Sequence, residues 1–294
     1  MTQPIAVITG ANSGIGYVTA KALYGQGFHV VMVCRNRDKA EAARDRFTDE
    51  NGKERADIVI CDMADMQQIT AAAATIRERY SRLDRLVNNA GFLPDGNRTL
   101  SADGLELTFA VNHLGYFLLT RELVPLLKAT PKSRVVNVAS DAHRYGEYDP
   151  DNLQMETGYS AMKAYGNSKL YNMMFTHHLH KVLEDDPVTT YSLHPGVVNS
   201  NFAADSDSLF GKLFNLIRWF MISPEKGAET TIYLCTEPGI ETHSGRYFVK
   251  KKPVKPSVKA ADDDDACREL WHISEELVQK AAHPITAKKD SHLI

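Results

Sequence analysis

Tyr165 and Lys169 are the residues of this chain whose types and spacing point most directly to chemistry. They stand four positions apart in a segment with helical spacing, which places both side chains on one face of a helix, one turn apart. A phenol has an ordinary pKa of about 10, whereas a fixed ammonium beside it favours the phenolate and lowers that pKa. The pair predicts a tyrosine general acid–base, although a Tyr-x-x-x-Lys spacing also occurs by chance in many helices.

A glycine-rich turn near the start of the chain strengthens this prediction. An apolar run over residues 4–9 has the composition of a buried parallel strand, and helical spacing follows over residues 17–25. Between them, glycines at a Gly-x-x-x-Gly-x-Gly spacing let the backbone approach phosphates, whose charge then lies at the helix N-terminus. The arrangement predicts a nicotinamide dinucleotide site, and the cofactor supplies the second positive charge that a large shift of the Tyr165 pKa requires. The predicted contacts in the turn are Gly10, Asn12, Ser13, Gly14, Ile15 and Gly16.

The end of the second predicted strand indicates which dinucleotide binds. Residues 28–33 form an apolar run that is followed by Cys34, Arg35 and, two positions later, Arg37. A site that prefers NAD places an Asp or Glu here to accept the ribose 2′-hydroxyl, whereas guanidinium groups suit a 2′-phosphate. We therefore expect NADP(H) as the cofactor, with Arg35 at the 2′-phosphate. The alternative is that both arginines are solvated charges at the start of the next helix.

Composition and charge restrict the classes of partner. The chain of 294 residues carries a formal charge of −3, which gives no reason to expect a nucleic-acid partner. Its four cysteines form no Cys-x-x-Cys motif, so we expect reduced structural thiols and no metal site. Because the first predicted strand begins at residue 4, we expect no signal peptide before it. No apolar run approaches the ~20 residues of a membrane span. These features predict a cytoplasmic protein, with membrane association left open.

Strands and helices alternate along the whole sequence. This alternation predicts an α/β fold of the Rossmann type, a doubly wound parallel sheet in a single domain over residues 1–294. The pattern includes a long helix at about 102–129, a last strand at about 246–249 that completes the sheet, and a C-terminal helix at about 262–282. Ligands in such sheets bind beyond the carboxyl ends of the strands. Turn or polar residues stand at five of these ends: Gly10, Asp62, Asn88, Ser140 and Pro195.

Taken together, the motifs resemble those of the short-chain dehydrogenase/reductase family. Residues 164–170 and tail motifs within 245–277 are similar to the retinol-dehydrogenase-like branch. The strand end at Cys34 and Arg35 also resembles protochlorophyllide reductase, which reduces a double bond, although the segment inside the Tyr-x-x-x-Lys motif differs there. The residues that carry the resemblance occur in order over nearly the whole chain: Thr9, Gly10, Gly14, Gly16, Asn88, Asn89, Ala90, Gly91, Asn112, Ser140, Tyr165, Lys169, Pro195 and Gly196.

The resemblance implies a role for each catalytic position. Tyr165 gives a proton to the carbonyl oxygen as hydride arrives from the nicotinamide, and Lys169 lowers the Tyr165 pKa and holds the nicotinamide ribose. Ser140 hydrogen-bonds the substrate oxygen, and Asn112 helps to carry protons through water and Lys169. The alternatives are an ordinary strand-end turn for Ser140 and a buried amide that satisfies helix backbone for Asn112.

The resemblance also implies further cofactor contacts. Asp62 binds the adenine, although an aspartate at such a position is also a common helix cap. A threonine that often contacts the cofactor amide in the family is replaced by Ser200, which keeps the hydroxyl. The other implied contacts are Met63, Asn89, Ala90, Gly91, Pro195, Gly196 and Val198.

An inserted loop at about 141–158 follows Ser140, because Ser140 and Tyr165 stand farther apart than in many family members. Two interpretations of this loop are equally open: its aromatic residues shape the substrate pocket, or they pack the loop on the surface. The side chains concerned are His143, Arg144, Tyr145 and Tyr148.

An apolar helical face over residues 209–221 is the main indication of the substrate. It lies in a predicted substrate lid at about 197–223, and it has three interpretations: it caps a lipophilic carbonyl compound, lies in a membrane interface, or packs against a second subunit. We expect hydride transfer between NADP(H) and a lipophilic carbonyl or alcohol, with peripheral membrane contact left open and a homodimer as the default. The alternatives are an NADPH-dependent double-bond reductase and a non-catalytic NADP(H)-binding redox sensor.

Overall fold

The computed structural model describes residues 3–48, 53–94, 96–196 and 222–282. Most of the predicted lid at 197–223, the apolar segment 209–221, and the predicted cofactor contacts Val198 and Ser200 lie outside the described residues.

A single eight-stranded sheet forms the centre of the described structure. The strands are β1 (Ile5–Thr9), β2 (His29–Cys34), β3 (Ala56–Ile60), β4 (Arg85–Asn88), β5 (Ser133–Val138), β6 (Val188–His194), β7 (Tyr247–Val249) and β8 (Lys252–Val254). Their order in the sheet is β3-β2-β1-β4-β5-β6-β7-β8. The first seven strands are parallel, and β8 pairs with β7 in the antiparallel direction. The predicted doubly wound Rossmann-type sheet is therefore confirmed.

The strand β8 was not predicted, and its sequence explains why. Its three residues are all exposed, so they lack the apolar pattern by which the other strands were recognised. It also contains Pro253, which has no backbone N–H and is therefore suited to the edge of a sheet. The predicted strand at about 246–249 is correct, but β8 and not β7 forms the edge.

Helices cover both faces of the sheet. The longer helices are α1 (Gly14–Gly25), α2 (Arg37–Asp45), α3 (Met66–Arg79), α4 (Gly115–Lys128), α5 (Ala161–Val182), α6 (Pro224–Thr236) and α7 (Asp264–Ala282). Buried residues of α1, α2 and α6 share one core with alternate β1 residues such as Ala6 and Ile8. Buried residues of α3, α4, α5 and α7 share the opposite core with Val7. Because both faces of β1 are buried, its sequence is continuously apolar instead of alternating.

The predicted long helix at about 102–129 is wrong at its start. Helical structure begins only at Leu107, because Gly104 adopts a left-handed φ of 76° and Glu106 caps the first turn through the backbone N–H groups of residues 108 and 109. The next turn, Ala110–Leu114, is π-helical and leads into α4. Such turns are frequent at functional sites, and this one carries Asn112. Among the described residues, no helix is both long enough and apolar enough to span a bilayer.

Candidate active site

The glycine turn between β1 and α1 has a conformation that requires its glycines. Gly10 has a left-handed φ of 66° and Gly14 one of 54°. A Cβ atom at Gly16 would lie 2.5 Å from the side-chain nitrogen of Asn89 and closer still to the carbonyl oxygen of Gly10. The turn is therefore packed against the residues that follow β4, and its open side and the N-terminus of α1 can face phosphates.

Thr9 and Asn89 hold this turn in place. The Thr9 hydroxyl accepts hydrogen bonds from the backbone N–H groups of Asn89 (2.8 Å) and Ala90 (2.9 Å). The Asn89 amide in turn donates to the carbonyl oxygen of Thr9 at 2.8 Å. The side chain of Asn89, predicted to line the cofactor, thus ties the carboxyl ends of β1 and β4 together.

The carboxyl ends of β2 and β3 bring Arg35 and Asp62 together. One Arg35 guanidinium nitrogen lies 3.8 Å from an Asp62 carboxylate oxygen, and the Arg35 side chain is 79% exposed. Asp62 does not cap α3, because Asp65 does so by accepting a hydrogen bond from the backbone N–H of Gln68 at 2.9 Å. The thiol of Cys34 accepts hydrogen bonds from backbone N–H groups in the glycine turn, and burial raises its pKa to about 11, so it stays neutral.

Ser140, Tyr165 and Lys169 form one cluster where β5 ends beside α5. The Ser140 and Tyr165 hydroxyls are hydrogen-bonded to each other. The Lys169 ammonium nitrogen lies 5.5 Å from the centre of the Tyr165 ring and donates to the carbonyl oxygen of Val138 at 3.1 Å. The geometry brings together the three groups that the sequence predicted to act together.

Burial dominates the electrostatics of this cluster. It raises the pKa of Tyr165 to about 12, against the opposing effect of the Ser140 hydrogen bond, and it lowers the pKa of Lys169 to about 7. The shift of Tyr165 is opposite in direction to the one expected from the sequence. Without a bound cofactor, the nearby Lys169 does not offset the desolvation of the Tyr165 phenolate. A lowered pKa of Tyr165 therefore requires the second positive charge that is expected from the cofactor.

Asn112 bridges three parts of the fold. Its side-chain nitrogen donates to the carbonyl oxygen of Phe92 (2.9 Å) and to the hydroxyl of Ser168 (3.0 Å), and its oxygen accepts from the backbone N–H of Phe92 (2.6 Å). The side chain therefore joins the π-helical turn to the segment after β4 and to α5. This matches the alternative of a buried amide that satisfies backbone groups, although those groups lie outside its own helix.

Comparison with known proteins places these features in a family. The family model described as short chain dehydrogenase matches residues 4–208. Retinol dehydrogenase 14 of Mus musculus is 40% identical over 285 residues, which cover 92% of this chain and 85% of that protein. Retinol dehydrogenase 11 of Homo sapiens is 37% identical over 274 residues, which cover 93% and 85%. The chain belongs to the short-chain dehydrogenase/reductase family.

Solved structures agree with this assignment. The crystal structure of an uncharacterised protein from Mycobacterium paratuberculosis matches with a TM-score of 0.76 and 31% identity, over 95% of this chain and 94% of that one. A 3-ketoacyl-(acyl-carrier-protein) reductase from Brucella melitensis complexed with NADH has the same fold, with a TM-score of 0.64 and 23% identity over 83% of this chain and 95% of that one. This short-chain dehydrogenase/reductase is thus an oxidoreductase similar to the retinol dehydrogenases.

Tyr116 is a residue of this dehydrogenase site that sequence reasoning missed. It lies four positions after Asn112, and its hydroxyl donates to the carbonyl oxygen of Ala90 at 2.7 Å. Its ring is fully buried, with the Lys169 nitrogen 5.9 Å from the ring centre. The spacing of four from Asn112 was the available signal, because it places both side chains on one helix face.

The loop after Ser140 lies directly against α5. A Cβ atom at Gly146 would lie 2.7 Å from the carbonyl oxygen of Gly166, so the two backbones are in close contact beside Tyr165. Two interpretations of the aromatic residues of this loop were open, namely that they shape the substrate pocket or that they pack the loop onto the protein. Tyr148 anchors the loop by donating to Glu269 of α7 at 2.8 Å, whereas the Tyr145 side chain is exposed next to the site.

The remaining predicted cofactor contacts among the described residues lie just after the carboxyl ends of strands of the same sheet. Met63 comes after β3, Ala90 and Gly91 come after β4, and Pro195 and Gly196 come after β6. Gly196 has a left-handed φ of 98°. The end of β6 is joined to the loop after Ser140, because the ring of His194 accepts from the backbone N–H of Asp141 at 3.1 Å.

Proposed function

We propose that the chain transfers hydride between NADP(H) and a lipophilic carbonyl or alcohol, with Tyr165 as the general acid–base. The observation that carries this proposal is the cluster of Ser140, Tyr165 and Lys169, which lies at the same sheet edge as the glycine turn. A pyrophosphate site and a proton-transfer site are thus both formed by the carboxyl ends of parallel strands.

The glycine turn fits a dinucleotide cofactor. Its packing leaves no room for a side chain at Gly16. The N-cap residue Ser13 makes no side-chain hydrogen bond to the first turn of α1, so the backbone N–H groups there can bind a pyrophosphate. When bound there, NADP(H) supplies or accepts the hydride. Tyr116 supports the same region, since its hydroxyl fixes the carbonyl of Ala90 in the segment after β4.

The residues of the cluster then have separate tasks. In the direction of reduction, Tyr165 gives its hydroxyl proton to the substrate oxygen, and Ser140 donates a hydrogen bond to the same oxygen. The Lys169 ammonium favours the phenolate that Tyr165 becomes, and its hydrogen bond to the Val138 carbonyl fixes where that charge lies. In the direction of oxidation, the Tyr165 phenolate accepts the proton of the alcohol.

The preference for NADP(H) rests on Arg35 and Cys34. Arg35 is exposed at the end of β2, where its guanidinium lies 3.8 Å from the Asp62 carboxylate, so the guanidinium can turn to a 2′-phosphate. Cys34 is a neutral, buried thiol and provides no carboxylate for a ribose 2′-hydroxyl.

The lipophilic substrate class rests on side chains beside Tyr165. Met162 precedes Tyr165 by one helical turn and is 37% exposed, and Tyr145 of the neighbouring loop is 67% exposed. Exposed apolar groups next to a reaction centre favour an apolar ligand. The similarity to proteins named retinol dehydrogenases supports the same class.

A substrate panel tests the proposal. NADPH and NADH consumption is measured with small polar aldehydes, aliphatic ketones, retinal and sterol ketones. We expect turnover that rises with the lipophilicity of the carbonyl compound and depends on NADPH. Tight NADPH binding without turnover of any carbonyl compound or of the corresponding alcohols with NADP would contradict the proposed reaction.

A further inference from the structure

His143 is a buried histidine that lies outside the catalytic cluster but contacts Ser140. It belongs to the short 3-10 helix Asp141–Tyr145, and only 1% of its surface is exposed. Its Nδ1 atom lies 2.8 Å from the carbonyl oxygen of Ser140, which also accepts from the backbone N–H of His143 at 3.1 Å. On the other side of the ring, Nε2 lies 3.4 Å from the backbone nitrogen of Ser257, beyond β8.

These two contacts fix the tautomer of the His143 ring. A carbonyl oxygen can only accept, so Nδ1 carries the hydrogen, and a backbone N–H can only donate, so Nε2 presents its lone pair. Burial lowers the pKa of His143 below its ordinary value, which keeps the ring neutral. The rings of Tyr247 and His143 pack edge to face, with 5.3 Å between the ring centres. The neutral ring therefore has a defined partner at each nitrogen.

Ser140 needs such support because of where it lies. It follows the end of β5 at Val138, so no strand pairing fixes its own backbone. Its hydroxyl must nevertheless meet both Tyr165 and the substrate oxygen, and it already accepts from the backbone N–H of Ala142 at 3.2 Å. A misplacement of about 1 Å in such a group can lower a rate by about 100-fold.

We propose that His143 is a positioning residue, whose Nδ1–H holds the Ser140 backbone so that the Ser140 hydroxyl faces Tyr165. The bond from Ser257 to Nε2 anchors the ring to the segment that follows the β7–β8 pair. The inference rests on the proposed role of Ser140 in hydride transfer. Because only 1% of its surface is exposed, His143 acts through Ser140 and not through contact with substrate or cofactor.

Two polar substitutions separate the two hydrogen bonds. His143→Asn places an amide N–H near the position of Nδ1 and keeps the bond to Ser140, whereas His143→Gln reaches Ser257 and loses that bond. We expect kcat of His143→Asn to stay within about threefold of wild type and kcat of His143→Gln to fall by about tenfold or more, with the NADPH Kd of both unchanged. Equal losses of kcat in the two variants, or losses that follow their melting temperatures, would overturn the proposal.

Crystal structures of wild type and His143→Gln decide the positioning claim without any turnover. We expect the Ser140 hydroxyl to move away from Tyr165 in His143→Gln and to stay in place in His143→Asn. An unmoved Ser140 in His143→Gln would refute the role of His143 even if the enzyme is active. A wild-type protein that lacks all turnover would refute the proposed reaction instead, and the structures would still decide the position of Ser140.

Discussion

Replacement of Gly16 by alanine tests the architecture of the cofactor site. The added Cβ would lie 2.5 Å from the Asn89 side-chain nitrogen and even closer to the Gly10 carbonyl oxygen. Both contacts are steric clashes, so one of the groups involved must move. The Asn89 amide is fixed by its bond to the Thr9 carbonyl, and Gly10 is backbone, so the turn itself must open. Overpacking of this kind costs about 1–3 kcal/mol, and we expect that loss in the free energy of unfolding. Because the displaced turn is also the proposed pyrophosphate site, the NADPH Kd should rise by about tenfold or more.

Gly25→Ala is the matched control, since Gly25 ends the same helix and a Cβ there meets nothing within 4 Å. This variant should bind NADPH like wild type and be equally stable or slightly more stable, because alanine favours helix. Urea unfolding gives the free energies, and titration of NADPH fluorescence gives the Kd values. A Gly16→Ala protein that binds NADPH as tightly as Gly25→Ala would refute the assignment of this turn to the cofactor.

Two further predictions concern charged groups. Arg35→Ala should raise the NADPH Kd by about tenfold or more and leave the NADH Kd within about twofold, because a charge-assisted hydrogen bond to the 2′-phosphate is lost. Equal effects on the Kd values of both cofactors in binding titrations would contradict a contact between Arg35 and the 2′-phosphate. Lys169 has a folded pKa of about 7, below its unfolded value of about 10.4. The unfolded chain therefore binds more protons between these values, and stability rises with pH there. Lys169→Met should reduce the rise of the unfolding free energy with pH between about pH 7 and 10, as measured by urea unfolding. An unchanged dependence of the unfolding free energy on pH would contradict the burial of a titrating amine at this position.

The features that sequence could predict are those encoded by neighbouring residues. The continuous apolar run of β1 indicated burial on both faces, and the glycine spacing indicated a tight turn before α1. The order of such elements along the chain was sufficient to predict the sheet and to predict the edge of the sheet where Ser140 and Tyr165 meet. The patterns that identify β1 and the turn each lie within about 20 residues, a window in which periodicity and turn residues can be recognised.

The features that sequence could not predict depend on contacts between distant segments. Asn112 bonds to Phe92 and Ser168, so its bridging position could not be read from its own helix. The direction of the Tyr165 pKa shift was also missed, because a spacing rule counts the nearby Lys169 but not the desolvation produced by surrounding elements. The tautomer of His143 likewise depends on Ser257, more than a hundred positions away.

Turnover by Tyr165→Phe, measured together with its NADPH affinity, tests the central claim most directly. The substitution removes the hydroxyl that bonds to Ser140 and leaves the ring that packs beside Lys169. We predict that kcat with the best carbonyl substrate falls by about 10²- to 10⁴-fold while the NADPH Kd stays within about twofold of wild type. Turnover close to that of wild type, with cofactor binding intact, would contradict Tyr165 as the general acid–base.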